Sequence, residues 1–570
     1  MRPWARLLGV ATALACAVGI ARAAAADMRR PKKLIQTGWD KPDSERLRAH
    51  LEQMEQRPFD GVVVGLRGHI DEAKRCHMRA AFGKQGWQRK WFEPCIANLK
   101  ACQFQRLTDN FILIGANPGN VDWFDDAGWA EIVDHWRIAA WVVRRSGFRG
   151  ILFDPEPYTK PWAQFDFAAQ PRRDDHAFDA YCEKARQRGR QVIEALADEC
   201  PDLTLFCYFM NSACTAATGH AEPRRALKTL RYGLYPAFID GWLDAAPETM
   251  TFVDGCERAY RFNSVEEYLE AAVAIKGACQ ELVSPANRAT YRAQVQVSYG
   301  IYLDAYWNPK DSEWGRWYIE GEQEPRVGRL RANVTAALRC ADEYVWVYGE
   351  KFRWWPTPNG RVWEKTWPEA LPGIERILRF ARDPLDYART EMARLEKEGK
   401  LTNLARNGDF GSATAKSNTG VADDWKEGGC PAGWHAWQEK ASKGTFTWDR
   451  ETGAAGKGSA KAAGVANGCF IQSYAVEPGE RYAVRAVRRL EGRGDAWIRV
   501  RWQTAEGRWT AQGRDVMVYA DGPRDQWAEL FGVATVPEGA GKLVLLLGAG
   551  GQPTAADAAW FDDVVLFRLE

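Results

Sequence analysis

Short apolar runs alternate with amphipathic stretches of helical period over the first two thirds of the chain. The runs are Leu34–Asp40, Gly61–Arg67, Phe111–Asn117, Gly150–Asp154, Leu203–Asn211, Thr251–Asp254, Gln294–Tyr299 and Tyr344–Glu350. Each reads as a strand, the most continuous of them as strands buried on both faces. Between them, Trp129–Arg145, Asp179–Ala197, Tyr235–Ala246, Val265–Cys279 and Arg329–Ala341 place apolar residues on one helical face. Eight strands alternating with helices predict an α/β barrel of the TIM, or (β/α)8, type. A doubly wound open sheet is the alternative, but it wants a Gly-rich phosphate turn after the first strand. Thr37-Gly38-Trp39-Asp40 is no such turn.

The pattern changes after residue 380. Residues 381–402 are charged and helical in period, and they read as a linker. From Asn403 the chain turns to alternating strands between Gly-rich turns: Thr445–Trp448, Cys469–Val476, Tyr482–Leu490, Ala496–Gln503, Leu543–Leu547 and Trp560–Phe567. That alternation predicts an all-β sandwich. The expected organisation is therefore multidomain: a signal segment at 1–26, a barrel at 27–380, the linker, and a sandwich at 403–570.

Chemistry gathers where the barrel strands end. Gly150-Ile151-Leu152-Phe153-Asp154-Pro155-Glu156-Pro157-Tyr158 runs from a buried strand straight into two acids. Its prolines stop the ladder, which leaves Asp154 and Glu156 at the strand's C-terminal mouth, where such barrels keep their active sites. Val253-Asp254-Gly255-Cys256-Glu257 repeats the pattern on the sixth strand, and Glu350 ends the eighth. Glycosidic cleavage needs one carboxyl group as acid and a second as nucleophile or base. Glu156, Glu257, Glu350 and Asp154 are the catalytic candidates, with Glu156–Glu257 the first pair and Glu156–Glu350 the second. Asp154 would orient Glu156 or raise its proton affinity. Trp39, Asp40, Arg67, His69, Asn117, Tyr158, Tyr208, Asn211, Asp254, Tyr299, Trp354 and Trp355 stand at or just beyond strand ends and are the substrate-binding candidates.

Composition narrows the class. Lys and Arg number 77 against 75 Asp and Glu, so neither nucleic acid nor an anionic membrane surface has electrostatic support. The 27 Trp exceed ordinary usage and raise the expectation of aromatic platforms for sugar rings, although any one Trp is as well placed in a core. The start, Met1-Arg2-Pro3-Trp4-Ala5-Arg6, is followed by an apolar run to Ile20 and an Ala-rich site, with cleavage expected after Ala23 or Ala26. That is a secretory signal, so the expected location is extracellular or periplasmic, with no transmembrane segment in the mature chain. Cys16 ends the apolar run, but Ala13 stands where a lipobox takes Leu. Of 13 Cys none forms a Cys-x-x-Cys pair, which removes support for structural zinc. Cys430 and Cys469 are candidates for pairing, and Cys207 and Cys340 for core residues. No Gly-x-Ser-x-Gly elbow, His-Glu-x-x-His pair or phosphate loop occurs.

Four stretches carry a resemblance in the C-terminal part. They are Asn403-Leu404-Ala405-Arg406-Asn407-Gly408-Asp409-Phe410, Val476-Glu477-Pro478-Gly479-Glu480-Arg481-Tyr482, Val536-Pro537-Glu538-Gly539-Ala540 and Trp560-Phe561-Asp562-Asp563-Val564. With them the segment resembles the jelly-roll carbohydrate-binding modules of the family 4/9 type. The resemblance implies a glycan ligand, with Trp434, Trp437, Trp502 and Trp509 as candidate platforms. It also implies a structural calcium ion held by Asp409 and Asp562 or Asp563, although Gly411 stands where the family often has an acid. The N-terminal part looks like a glycoside hydrolase barrel of a divergent family. Phe148-Arg149-Gly150-Ile151-Leu152-Phe153-Asp154-Pro155-Glu156 can be laid on the fourth-strand motif of chitinase-type barrels, with Arg149 and Leu152 in place of that motif's earlier acids. No cofactor is implied for catalysis.

The expected function is a secreted glycoside hydrolase with a glycan-binding module. The alternatives are a non-catalytic surface glycan-binding protein with a barrel pocket, and a polysaccharide lyase using Tyr158 or Tyr299 as base.

Overall fold

The computed structural model describes residues 32–321, 326–357, 360–411, 431–456 and 458–569. The expected signal segment and Cys430 lie outside the described residues. The chain divides into two compact units, 1–382 and 383–570.

The first unit is a closed barrel of eight parallel strands. These are β1 (Lys33–Gly38), β2 (Gly61–Val64), β3 (Phe111–Gly115), β4 (Gly150–Asp154), β5 (Thr204–Cys207), β6 (Thr251–Asp254), β7 and β8 (Tyr344–Gly349). Strand β7 has two segments, Val295–Val297 and Tyr299–Tyr302, hinged at Ser298. Its first segment pairs with β6 and its second with β8, while β8 pairs with β1, so the ring closes through the hinge. Every residue of β4 is buried, as a parallel strand covered on both faces must be. Gly150 opens β4 because a Cβ there would stand 1.9 Å from the Thr204 carbonyl oxygen on β5.

Inside the barrel the side chains stack in layers. Phe111, Phe206 and Tyr344 form the lowest, with edge-on and tilted rings 5.5–5.7 Å apart. Above them Tyr208 stacks on Trp346 at 4.5 Å. At the mouth Tyr260, Tyr302 and Tyr348 meet at 5.0–6.0 Å. The period is visible in β8, where Tyr344, Trp346 and Tyr348 alternate with valines.

The outer helices include α1 (Ser44–Glu55), α2 (Glu93–Lys100), α3 (Asp126–Ser146), α4 (Phe178–Glu199), α5 (Tyr235–Ala245), α6 (Val265–Lys276), α7 (Val327–Cys340) and α8 (Ile374–Arg382). Helices α4 and α5 approach closely at Gly189 and Gly241, where added Cβ atoms would lie 2.0 Å from backbone oxygens. Much of the Trp content is packing: Trp123, Trp129, Trp136, Trp242, Trp346, Trp354, Trp355 and Trp367 are fully buried in this unit. No described helix is long and apolar enough to cross a membrane.

The second unit opens with α9 (Pro384–Lys397), within the segment expected to be a linker. Arg389 of α9 pairs with Glu529 at 2.5 Å and lies over the Phe531 ring at 4.2 Å, so the helix packs on the sandwich. The sandwich strands are β9 (His435–Gln438), β10 (Thr445–Asp449), β11 (Ser459–Ala463), β12 (Asn467–Ala475), β13 (Arg481–Glu491), β14 (Asp495–Gln503), β15 (Val516–Val518), β16 (Ala528–Thr535), β17 (Lys542–Gly550) and β18 (Ala558–Leu569). They form two antiparallel sheets ordered β9-β12-β17-β14-β15 and β10-β11-β18-β13-β16. The core between them includes Phe410, Phe470, Ile498, Trp502, Leu545 and Phe561. No cysteine among the described residues is disulfide-bonded. Cys207 is fully buried, Cys340 is partly exposed and Cys469 is buried as a free thiol.

Candidate active site

The strand-end carboxylates converge on one cavity of about 640 Å³ at the C-terminal mouth of the barrel. At the end of β4, Asp154 is buried, and one of its oxygens holds the turn that follows. That oxygen accepts the Glu156 backbone N–H at 3.1 Å and the other pairs with Arg79 at 3.3 Å. The chain then lifts Glu156 into the cavity wall. Tyr158 donates its phenol proton to Glu156 Oε2 at 2.7 Å, while its backbone N–H donates to Asn117 Oδ1 at 3.0 Å. Partial enclosure, then Asp154 and Glu156, raise the phenol of Tyr158, a residue 53% exposed overall, so it stays a donor.

The end of β6 presents the second acid through a strained turn. Asp254 is fully buried and accepts the backbone N–H groups of Met210 (3.0 Å), Ser212 (2.9 Å) and Cys256 (3.2 Å), as well as the Ser212 hydroxyl. Cys256 has φ +43°, a left-handed conformation that a residue with a Cβ rarely adopts. Glu257 follows, anchored by its N–H to the Tyr208 carbonyl at 3.1 Å. Beyond β8, Glu350 N–H donates to buried Asp304 at 2.8 Å, and its side chain reaches the same cavity beside Tyr302.

So many carboxyl groups in one low-dielectric mouth cannot all be ionised. Glu257 is raised well above the ordinary carboxyl value, by burial first, then by Glu156, Asp154 and Glu350; the nearby Tyr260 phenol offsets part of this. Asp154 is pushed up to about 6 by burial and by Glu156, against the pull of Arg79. Glu350 is raised by burial and by Asp304. Of these acids Glu257 is the one whose surroundings most favour the neutral form, while Glu156 accepts the hydrogen bond of the Tyr158 phenol.

This arrangement has a stability signature. Because the folded state raises the pKa of Glu257, its protonated form is the one folding favours. The Glu257 contribution is intact below the ordinary carboxyl value near 4.5 and is lost as pH rises through the folded pKa. Glu257→Gln, uncharged at every pH, is expected to gain about 1 kcal/mol over the parent at pH 8, roughly 2 °C in Tm, and little at pH 4. Thermal unfolding at the two pH values checks this.

Of the sequence candidates, the structure brings Glu156, Glu257, Glu350, Tyr158 and Tyr208 into this cavity. Asp154 lies behind them. Trp39, Arg67 and Asn117 line a second cavity of about 420 Å³. Several expectations need correction. Asp40 is buried, paired with Arg46 at 2.8 Å and capped by the Trp354 and Trp355 N–H groups, so it is a structural carboxylate. Trp354 and Trp355 are 1% and 0% exposed and pack on Phe59. Tyr299 is fully buried with its hydroxyl donating to the Tyr268 carbonyl at 2.6 Å, which removes it as a contact and as a lyase base. Asn211 and Asp254 are also fully buried. His69 sits on a hairpin, Arg67–His69 with Arg75–His77, facing Glu45 at 3.5 Å rather than the central mouth.

Sequence reading missed Tyr232, Tyr260, Tyr302, Trp314, Trp317 and Tyr348 in the first cavity, and Lys41, His77, Arg79 and Arg361 in the second. Tyr348 carried a signal, the inward alternation of β8. Most of the others stand on loops after the strands, where no period marks direction.

In the second unit Trp434 and Trp502 are core residues, 4% and 1% exposed, so they are not platforms. Trp502 follows Ala496, Ile498 and Val500 on the inward face of β14. Trp437 and Trp509 are about half exposed. Asp562 is buried, accepts the Ala454 N–H (2.7 Å) and Asp563 N–H (2.8 Å), and is pushed up to about 6 by burial, Asp563 and Asp409. Asp409 is exposed. Among the described residues no group of three or more His, Cys, Asp or Glu is placed to hold a metal. A cation between Asp409 and Asp562 would thus depend on backbone carbonyl oxygens for the rest of its shell.

No family model and no curated protein matches the chain. Among solved structures, it is similar to the enzymatically active domain of bacteriophage CBA120 tailspike protein 4, at 14% identity and TM-score 0.22, over 29% of this chain and 21% of that one. It is similar to the CBM22-1–GH10 modules of Clostridium thermocellum endo-1,4-β-D-xylanase 10B, at 15% and 0.20, over 24% and 26%. A third similarity is to TmCBM61 in complex with β-1,4-galactotriose, at 15% and 0.20, over 30% and 99%. The chain spans about a quarter or less of the first two, and likenesses this partial assign neither family nor activity.

Proposed function

We propose that the chain is a glycoside hydrolase, with Glu257 as general acid and Glu156 as nucleophile or general base. The observation that carries this reading is the convergence of Glu156, Glu257 and Glu350 on a cavity walled by Tyr158, Tyr232 and Trp314, where enclosure and the neighbouring carboxylates favour the neutral form of Glu257. Glycosidic cleavage requires that asymmetry, one neutral carboxyl to protonate the leaving oxygen and one anion facing the sugar. Aromatic walls suit the apolar faces of sugar rings, and carboxylates and phenols suit their hydroxyls. Glu350 would act by holding a hydroxyl group of the bound sugar. In the two-step variant, Glu156 bonds to the anomeric carbon as the aglycone departs with the Glu257 proton. Water, deprotonated by Glu257, then breaks that bond. In the one-step variant Glu156 deprotonates the attacking water.

The reading includes export by the N-terminal segment and glycan binding by the second unit. It also includes a structural calcium ion near Asp409 and Asp562; EDTA is then expected to lower the sandwich's Tm. The competing reading, glycan binding without turnover, has no use for a protonated Glu257.

The test is incubation with a panel of neutral and acidic oligosaccharides, read by mass spectrometry. The expected products carry one added water, and Glu156→Gln is expected to abolish their formation while retaining glycan affinity. Unsaturated products without added water would identify a lyase instead, and no product from any glycan would leave the binding reading.

A further inference from the structure

The second cavity does not resemble the first. Its polar lining is cationic: Lys41, Arg46, Arg67, Arg79 and Arg361 against the single carboxylate of Asp43. Two of these charges are already used. Arg46 is paired with Asp40, and Asp43 accepts the Arg46 backbone N–H as the cap of α1. Lys41 is not so used: its ammonium donates to the Gly38 carbonyl at 2.7 Å, and among the described residues no carboxylate pairs with it. Arg79 has one guanidinium nitrogen on Asp154 at 3.3 Å, and its buried Nε has no partner. Enclosure, then the Arg79 and Arg361 charges, push Lys41 down to about 7 against the opposing pull of Asp154 and Asp40. A lysine crowded by like charge in a cavity is a site short of an anion.

The two cavities share a wall. Arg79 lines the second and lies over the Tyr158 ring at 4.5 Å; Tyr158 lines the first and holds Glu156. Asn117 also lines the second and fixes the Tyr158 backbone. A chain of sugars seated at Glu156 would thus place a neighbouring residue against Lys41 and Arg79, with Trp39, 42% exposed, as its platform.

We propose that this second cavity is a subsite for an anionic group on the sugar next to the cleaved bond, a uronate carboxylate or a sulfate ester, bound by Lys41, Arg67 and Arg79. The inference rests on the hydrolase reading and names its substrate class as acidic glycans. Arg79 could then answer the incoming anion through its free Nε while keeping Asp154, and Lys41 would take up its charge fully.

The experiment has two arms. In the first, wild type is given matched oligosaccharides: uronate-containing against carboxyl-reduced, and sulfated against desulfated. The charged member of one pair is expected to be cleaved with kcat/KM about 10–100-fold higher, the worth of one or two hydrogen bonds to a charged group. The pair that shows the preference distinguishes carboxylate from sulfate. Arg67→Gln and Lys41→Met are expected to collapse that ratio through KM. Equal cleavage of both members in both pairs overturns the subsite while leaving the hydrolase reading intact. The second arm measures calorimetric binding of glucuronate and galactose 6-sulfate, with glucose as control, to Glu156→Gln protein, which needs no turnover. Binding of an anionic sugar that Arg67→Gln abolishes supports the subsite even if no glycan is hydrolysed. Binding no tighter than glucose for either overturns it.

Discussion

Glu257→Gln is expected to lower kcat/KM on an unactivated glycan by about 10²–10⁴-fold, the usual worth of a positioned general acid. The loss should depend on the leaving group. An alkoxide leaving from a sugar needs the proton that Glu257, as the proposed acid, would supply, whereas a nitrophenolate does not. On a nitrophenyl glycoside the same variant is expected to lose about tenfold or less. Glu156→Gln should behave differently, with both substrates falling together, since attack or water activation is needed whatever leaves. If Glu257→Gln also impairs both substrates equally, the roles of the two carboxylates are reversed or shared. The expected split follows from two local facts: Glu257 is surrounded by Glu156, Asp154 and Glu350, and Glu156 alone receives the Tyr158 phenol.

Asp254→Ala is expected to be the most destabilising single change at the mouth, at about 3–5 kcal/mol, or roughly 10 °C in Tm. The carboxylate satisfies three buried backbone N–H groups and a hydroxyl, all in the turns that follow β5 and β6. Alanine leaves those donors unpaired where water does not reach. It also releases the positive-φ Cys256, and with it the position of Glu257 one residue further on. Asp254→Asn, which keeps the shape and one acceptor oxygen, should recover about half of the loss. Thermal unfolding of the three proteins, read beside their activity, separates this role from substrate contact. A ligand-contacting Asp254 would lose affinity with Tm unchanged, which the full burial of the residue excludes.

The barrel was legible because its strands are continuous apolar runs and its helices are periodic. The eight runs fall on the eight strands, although β2 and β5 end earlier than their apolar stretches suggest. Val64 is followed by a turn into the Arg67–His69 hairpin, and Cys207 by the turn that Asp254 holds. Those early ends explain why Asn211 and His69 mislead: a residue past a strand faces the mouth only if the strand still runs there. The acids were legible because Asp-Pro-Glu-Pro and Asp-Gly-Cys-Glu break a strand at a carboxylate. Their division of labour was not, since both Glu156 and Glu257 closely follow a strand-ending Asp. Only the enclosure of Glu257 among the other carboxylates, set by residues on three separate strands, favours it as the proposed proton donor. Trp354 and Trp355 show the same limit from the other side. Aromatics beyond β8 suit a sugar platform, but the Asp40 cap and Phe59 fold them into the core. The second cavity was hardest to foresee, since Lys41, Arg67, Arg79 and Arg361 come from separate stretches of the chain.

The dependence of kcat/KM on pH, measured on an unactivated glycan for wild type and Glu257→Gln, tests the central claim most directly. Glu257 must be protonated to act and its pKa is raised by its surroundings, so wild-type activity is expected to fall as pH rises through a value well above the ordinary 4.5. The Gln variant has no such proton to lose, and its alkaline limb is expected to vanish. The same alkaline limb in both proteins would contradict the assignment of Glu257 as the acid.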